Sequence, residues 1–242
     1  RYGNPSIGSA IDALMDEGCT RLVALPLFPH FAAASGGSAA AKAMEELEKR
    51  WNTPDVRILG DFYDDPAFID AFAQNIERAR QTFEPDMVLF SYHGVPVRHV
   101  QKSEPNRTSC VGDIPCPAID GTNRFCYRAQ CYATTRAVAK KLGLSDDEHH
   151  TAFQSRLGKT PWIQPYTDLE LSKLRERGVK RLLVTCPSFV ADCLETLEEI
   201  GIRAKEDWEE LGGEALELVP SLNAEPAWCD AVANRVRNAF PE

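Results

Sequence analysis

The sequence predicts an α/β fold in which helices cover both faces of a parallel sheet, and two observations carry that reading. Helical segments and short apolar runs alternate along most of the 242 residues. The apolar runs, such as Met87–Tyr92 (MVLFSY) and Arg181–Thr185 (RLLVT), are continuous rather than alternating, as expected of strands buried on both faces. Ligands of such sheets bind beyond the carboxyl ends of the strands, so the residues that close each run become candidates for chemistry.

Taken in order, Ser6 to Glu17 reads as a helix with Pro5 beside its first turn and Gly18 closing it. Arg21 to Phe28 reads as a buried strand ended by Pro29, and Gly36-Gly37-Ser38 opens a helix to about Trp51. A short strand, Val56 to Leu59, precedes a helix that starts at Asp65-Pro66 and carries Phe68, Ile69, Phe72 and Ile76 on one side. Met87–Tyr92 is the next strand, with His93-Gly94 at its end. From Val97 to about Phe125 periodicity disappears, and so long an irregular stretch is uncommon unless something holds it together. Helix returns near Cys131 and runs to Leu142, a loop covers Gln154 to Tyr166, and a helix follows from Asp168 to Arg177. The remainder reads as the strand Arg181–Thr185, a helix from Asp192 to Ile200, a strand from Leu216 to Val219 and a terminal helix from Pro226 to Phe240.

Composition narrows the class of function. A net charge of −9, with 27 dispersed Lys and Arg, argues against a nucleic-acid partner, which calls for a clustered basic face. No run of 18 apolar residues is present, so no membrane span is expected, and no apolar leader is visible; cysteine usage makes the reducing cytoplasm the expected location. The chain begins without Met and runs at once into a helical pattern, which reads as the continuation of a longer protein. Of eight cysteines, four fall within one window, a distribution unlike a disulfide-stapled secreted domain.

Three segments carry candidate chemistry. His93 leaves a buried strand into the turn Gly94-Val95-Pro96, where a histidine faces a crevice from a rigid support and suits proton transfer near neutral pH; a structural histidine is the alternative. In Cys186-Pro187-Ser188-Phe189-Val190-Ala191-Asp192-Cys193-Leu194-Glu195, Asp192 resembles an N-cap with Glu195 at the third helical position. Asp192, Glu195 and Glu199, spaced i, i+3, i+7, are expected on one face, either as a solvated acidic turn or as a file of carboxylates for cations or protons. The loop Gln154 to Pro165, with Trp162 and two prolines, is stiff and amphipathic, fit to wall an aromatic ligand.

Together with Arg1-Tyr2-Gly3-Asn4-Pro5, the blocks Ser91-Tyr92-His93-Gly94-Val95-Pro96, Gln154 to Pro165 and Phe189 to Glu199 resemble, in order and spacing, the signature blocks of ferrochelatases. The resemblance implies a chelatase-like fold of two similar Rossmann-like domains gripping a porphyrin, the first of them incomplete here. It implies residues 1–37 as part of the first domain, 38–215 as the second with an insert at 97–131, and 216–242 as a strand and helix packing back on the first. It further implies His93 as the active-site histidine and Glu195 as the carboxylate across the cleft. Asp192 and Glu199 match acidic residues on a metal or proton route, and Arg1, Tyr2, His30, Trp162 and Phe189 are expected to contact the porphyrin. The reaction expected is insertion of ferrous iron into protoporphyrin IX, with weak turnover for this chain alone. Peripheral membrane contact through the cleft lips is compatible with this resemblance. A related cobalt or other tetrapyrrole chelatase, and a non-enzymatic iron–sulfur or zinc sensor, are the rival readings.

Cys110, Cys116, Cys126 and Cys131 follow the spacing C-x5-C-x9-C-x4-C, without the C-x2-C knuckles of most structural zinc sites. Four thiolates in an otherwise irregular insert would hold a metal group. Some ferrochelatases carry a [2Fe–2S] cluster, and this quartet resembles the internal ligand set of certain bacterial members. Zinc and redox-active thiols are the alternatives. Cys186, Cys193 and Cys229 are expected to be small buried hydrophobes, and His99, His149 and His150 to be solvated in polar loops.

Overall fold

The computed structural model describes residues 3–103 and 116–240. Nearly every apolar run of the sequence becomes a strand: β1 (Arg21–Ala24), β2 (Asp55–Ile58), β3 (Met87–His93), β4 (His149–Gln154), β5 (Arg181–Thr185) and β6 (Ala215–Leu218). They form a parallel pair β1-β2 and a parallel four-stranded sheet in the order β4-β3-β5-β6. The helices are α1 (Ile7–Asp16), α2 (Ser38–Glu48), α3 (Pro66–Phe83), α4 (Val97–Ser103), α5 (Tyr127–Leu142), α6 (Thr167–Glu176), α7 (Leu194–Leu197), α8 (Lys205–Glu210) and α9 (Pro226–Arg237).

The continuous hydrophobicity of β3 has the expected consequence. Val88, Phe90 and Tyr92 enter one core with Phe68, Phe72 and Ile76 of α3, Val138 of α5 and Trp228 of α9. Met87 and Leu89, of opposite parity, enter a second core with Leu171 and Leu174 of α6 and Trp208 of α8. Local signals fix the ends of the long helices. Asp65 caps α3 by accepting from Ala67 N at 2.9 Å, with Pro66 at its first position, and Gly143 ends α5 in the left-handed region.

Several elements depart from the sequence reading. The first strand stops at Ala24, because Pro26 and Pro29 supply no ladder donors. The insert begins with α4 rather than irregular chain. His149–Gln154 is a strand, not a loop; its polar start hides a pairing that β3 imposes from Val88↔His149 to His93↔Gln154. The expected helix from Asp192 to Ile200 is instead α7, four residues long, then a widened π-helical turn over Glu199–Ala204, then α8. Its N-cap is Cys193, whose capping partner is Thr196, not Asp192 with Glu195. The sheet thus aligns the ends of β3, β4 and β5, bringing His93, Gln154 and Cys186 to one edge.

Candidate active site

His93 ends β3 at the mouth of an apolar cavity of about 440 Å³, whose walls include His30, Tyr127, Trp162, Phe189 and Glu195. The imidazole lies 6.2 Å from the Trp162 ring and 6.1 Å from that of Phe189, centroid to centroid. Its Nδ1 is 2.5 Å from the Gly94 carbonyl oxygen. A carbonyl only accepts, so Nδ1 carries the hydrogen and Nε2 keeps the lone pair, the tautomer a proton acceptor needs. The main chain of His93 is held at both ends: its N–H donates to Ser188 Oγ at 3.3 Å, and its carbonyl accepts from Tyr127 Oη at 2.7 Å.

Glu195 shares the cavity. A hydrogen bond from the Cys193 thiol, then one from its own backbone N–H, holds its carboxyl below the usual range, and His93 contributes attraction. The cavity therefore presents an anionic carboxylate and a basic nitrogen between aromatic walls, a set able to accept protons and to ligate a divalent cation transiently.

Asp192 and Glu199 do not share Glu195's direction, because the N-cap at Cys193 and the widened turn after α7 break the helical spacing. Burial pushes the Asp192 carboxyl up, but donors outweigh it and hold it low: Asn223 Nδ2 at 2.7 Å, Ser221 N at 3.1 Å and Thr196 Oγ1 at 3.2 Å. Glu199 accepts from Ser155 N at 2.7 Å and Ser155 Oγ at 2.6 Å. It lines a second cavity, of about 910 Å³, which lies against Trp162 and includes Arg156, Arg203 and Asp207. Gln154 links the Glu199 carboxylate to the main chain of Glu195. Its Oε1 accepts from Ser91 Oγ at 2.7 Å, and its amide donates to the Glu195 carbonyl at 2.6 Å and to Glu199 Oε2 at 3.2 Å.

His30 borders the same cavity while only 2% exposed, its Nε2 3.0 Å from Thr134 Oγ1. Burial lowers its pKa to about 3, so it is neutral at physiological pH. Cys229 is exposed and Cys193 half-buried, which corrects the expectation of buried small hydrophobes; Cys186 is buried as expected. His150 is not solvated but lies 2.8 Å from the Glu170 carboxylate, and burial lowers the pKa of His99 and of half-buried His149. Arg1, Tyr2 and Cys110 lie outside the described residues.

Cys116, Cys126 and Cys131 are buried; Cys126 caps α5 and Cys131 sits one turn along it. Burial pushes the Cys131 thiol well up, and Cys116 and Cys126 stand near enough to add to that effect. Buried Arg128 donates from Nη1 to Cys116 Sγ at 2.9 Å. Among the described residues no three His, Cys, Asp or Glu side chains form a metal-holding group. With Cys110 the donor set is four thiols, the chemistry of a [2Fe–2S] ligand set, and in that respect the residues fit such a cluster.

Sequence reasoning missed Tyr127, Ser188 and Gln154. Tyr127 sits inside Cys126-Tyr127-Arg128-Ala129-Gln130-Cys131, where the cysteines draw attention, and nothing local shows that its hydroxyl reaches β3.

The ferrochelatase family model matches residues 1–240. A ferrochelatase of Coxiella burnetii (strain Dugway 5J108-111) is 46% identical over 240 residues, covering 99% of this chain and 67% of that protein. A ferrochelatase of Legionella pneumophila (strain Lens) is 48% identical over 243 residues, covering 99% of this chain and 70% of that one. Among solved structures, SirB from Bacillus subtilis with Fe3+ superposes with a TM-score of 0.64 at 13% identity, covering 99% of this chain and 79% of its own, a likeness of fold. No helix among the described residues is long and apolar enough to cross a membrane.

Proposed function

The chain belongs to the ferrochelatase family, which inserts ferrous iron into a porphyrin in heme synthesis, and we propose that His93 and Glu195 are the residues that perform the insertion. The supporting observation is that both face one apolar cavity between Trp162 and Phe189. A free-base porphyrin loses two N–H protons as Fe2+ enters, so the reaction needs an acceptor and an outlet for positive charge. His93 Nε2 takes one pyrrole proton, releases it to solvent along the acidic route and then takes the second, while Glu195, held ionised, attracts the incoming cation and balances the imidazolium. Trp162 and Phe189 grip the macrocycle, and binding energy from such contacts offsets the strain of bending the ring, about 1–5 kcal/mol in typical enzymes. Arg1, Tyr2 and His30 extend the porphyrin site. Asp192 and Glu199 belong to the cation and proton route, with Gln154 joining Glu199 to the main chain of Glu195.

Cys110, Cys116, Cys126 and Cys131 hold a [2Fe–2S] cluster in this reading. Such a cluster, when bound, supplies a one-electron redox centre and a cross-link within the insert. The cytoplasm is the proposed location, because a reducing compartment keeps an exposed thiol such as Cys229 reduced. The test is anaerobic metallation of porphyrin by ferrous iron, followed as loss of porphyrin fluorescence. His93→Ala is expected to slow it about 10²–10⁴-fold, the usual worth of a general base, while porphyrin still binds. Unchanged turnover in that variant would remove His93 from the chemistry.

A further inference from the structure

We propose that Tyr127 is a positioning residue that sets the main chain of His93 and couples it to the cysteine site. The inference deepens the reading above and rests on Cys126 and Cys131 holding a metal group.

The first turn of α5 carries both parts of the device. Cys126 is its N-cap, Tyr127 its first residue, and Cys131 lies one turn on, fully buried. The Tyr127 ring is buried at the cavity wall, and its hydroxyl donates to the His93 carbonyl at 2.7 Å. The same hydroxyl lies 3.0 Å from Ser188 Oγ, which accepts the His93 N–H at 3.3 Å. One Tyr–Ser pair thus grips both peptide groups of His93. Because the imidazole is tied through Nδ1 to the adjacent Gly94 carbonyl, the ring follows wherever the main chain is placed. The fully buried Cys131 stands one turn along the same helix as Tyr127, so the two side chains ride on one piece of backbone. Arg128 makes a second connection from the cysteines to the cleft: it donates to Cys116 Sγ at 2.9 Å and to the Gln164 carbonyl at 2.9 Å, two residues beyond Trp162.

Whatever fixes Cys126 and Cys131 therefore fixes the turn that carries Tyr127, and releasing the cysteines loosens the grip on His93. Displacements of about 1 Å at a reacting group are enough to cost up to roughly 10²-fold in rate, so a small slack here has a large readout.

Tyr127→Phe removes only the hydroxyl and leaves the ring in the wall. The expected result is a fall in kcat of about 10-fold with the porphyrin KM within about twofold, the pattern of lost positioning rather than lost binding. The second arm reads His93 itself, with no turnover involved. In protein labelled with 15N-histidine, the five amide peaks are recorded and that of His93 is identified by its absence in His93→Gln. Chelating iron from the cysteine site, or Cys131→Ala, should shift the His93 amide in the parent protein and leave it unmoved in Tyr127→Phe. A His93 amide indifferent to both treatments, or shifted equally with and without the hydroxyl, overturns the coupling. Protein that binds no iron and sulfide by absorption would instead sink the cluster reading, and the Cys131→Ala arm would still decide whether Tyr127 transmits.

Discussion

Gly94 and His30 show how single residues shape the cleft. A Cβ on Gly94 would stand 2.9 Å from the Gln154 carbonyl oxygen and 3.2 Å from Trp162 Cε3. That carbonyl cannot retreat without breaking its bond from Gly94 N at 2.8 Å, so Gly94→Ala must displace Trp162 or the His93 turn. The expected cost is about 1–3 kcal/mol of stability, the range for overpacking a tight site, together with slower metallation. Thermal melts and the fluorescence assay check both. His30 gives a pH signature. Its native pKa of about 3 lies below the unfolded value of 6.5, so the unfolded chain binds the extra proton between those limits. The stability that neutral His30 contributes is complete above pH 6.5 and is lost as pH falls toward 3. His30→Gln, which can still reach Thr134, should lower stability at pH 7 yet flatten its decline from pH 6.5 to 4. Parallel urea midpoints in the two proteins would sink that assignment.

At the scale of elements, the segment from Cys193 to Glu210 does the most positioning. A regular helix would aim Asp192, Glu195 and Glu199 along one face; the short α7 and the widened turn send Glu195 into the apolar cavity and Glu199 to Ser155. Widened turns of this kind often mark functional sites. Two anchors hold the segment. Trp208 of α8 is fully buried and donates from Nε1 to the Lys180 carbonyl at 3.1 Å, and Trp208→Ala should cost about 3–5 kcal/mol. Glu199 accepts three hydrogen bonds from Gln154 and Ser155, and Glu199→Gln should cost about 1–3 kcal/mol as the charged partner is lost. If Glu199 also serves the cation route, the same variant raises the KM for iron while leaving that for porphyrin unchanged. An unchanged KM for iron would confine Glu199 to its structural part.

For the whole molecule, the two sheets differ in how much core supports them. The four-stranded sheet is sandwiched between two large clusters, with β3 wholly buried up to Tyr92. The β1-β2 pair rests on a satellite cluster whose buried members are Ile11, Leu22 and Leu47. Local opening follows the density of buried contacts, so amides of β1 and β2 should exchange well before those of β3 and β5. Hydrogen exchange followed by mass spectrometry would show this directly, and equal protection in both sheets would contradict it.

The sequence by itself determined the parallel α/β class, most strand and helix positions, and four candidate residues that the fold gathers at one cavity, His93, Trp162, Phe189 and Glu195. These rest on local patterns: continuous apolar runs such as Arg181–Thr185, caps such as Asp65 with Pro66, and the strand-end block around His93. It misplaced β4 because His149 and His150 look polar in isolation, and only the hydrogen-bond ladder of β3 makes the segment a strand. It misread α7 because the capping pattern of Asp192 with Glu195 is as plausible locally as that of Cys193 with Thr196. Tyr127, Ser188 and Gln154 act on groups 34 to 95 positions away in the chain, and such contacts leave no periodic trace. Tertiary structure alone decided the grip on His93, the separate directions of Glu195 and Glu199 and the burial of His30, because each depends on groups that folding, not sequence neighbourhood, brings together.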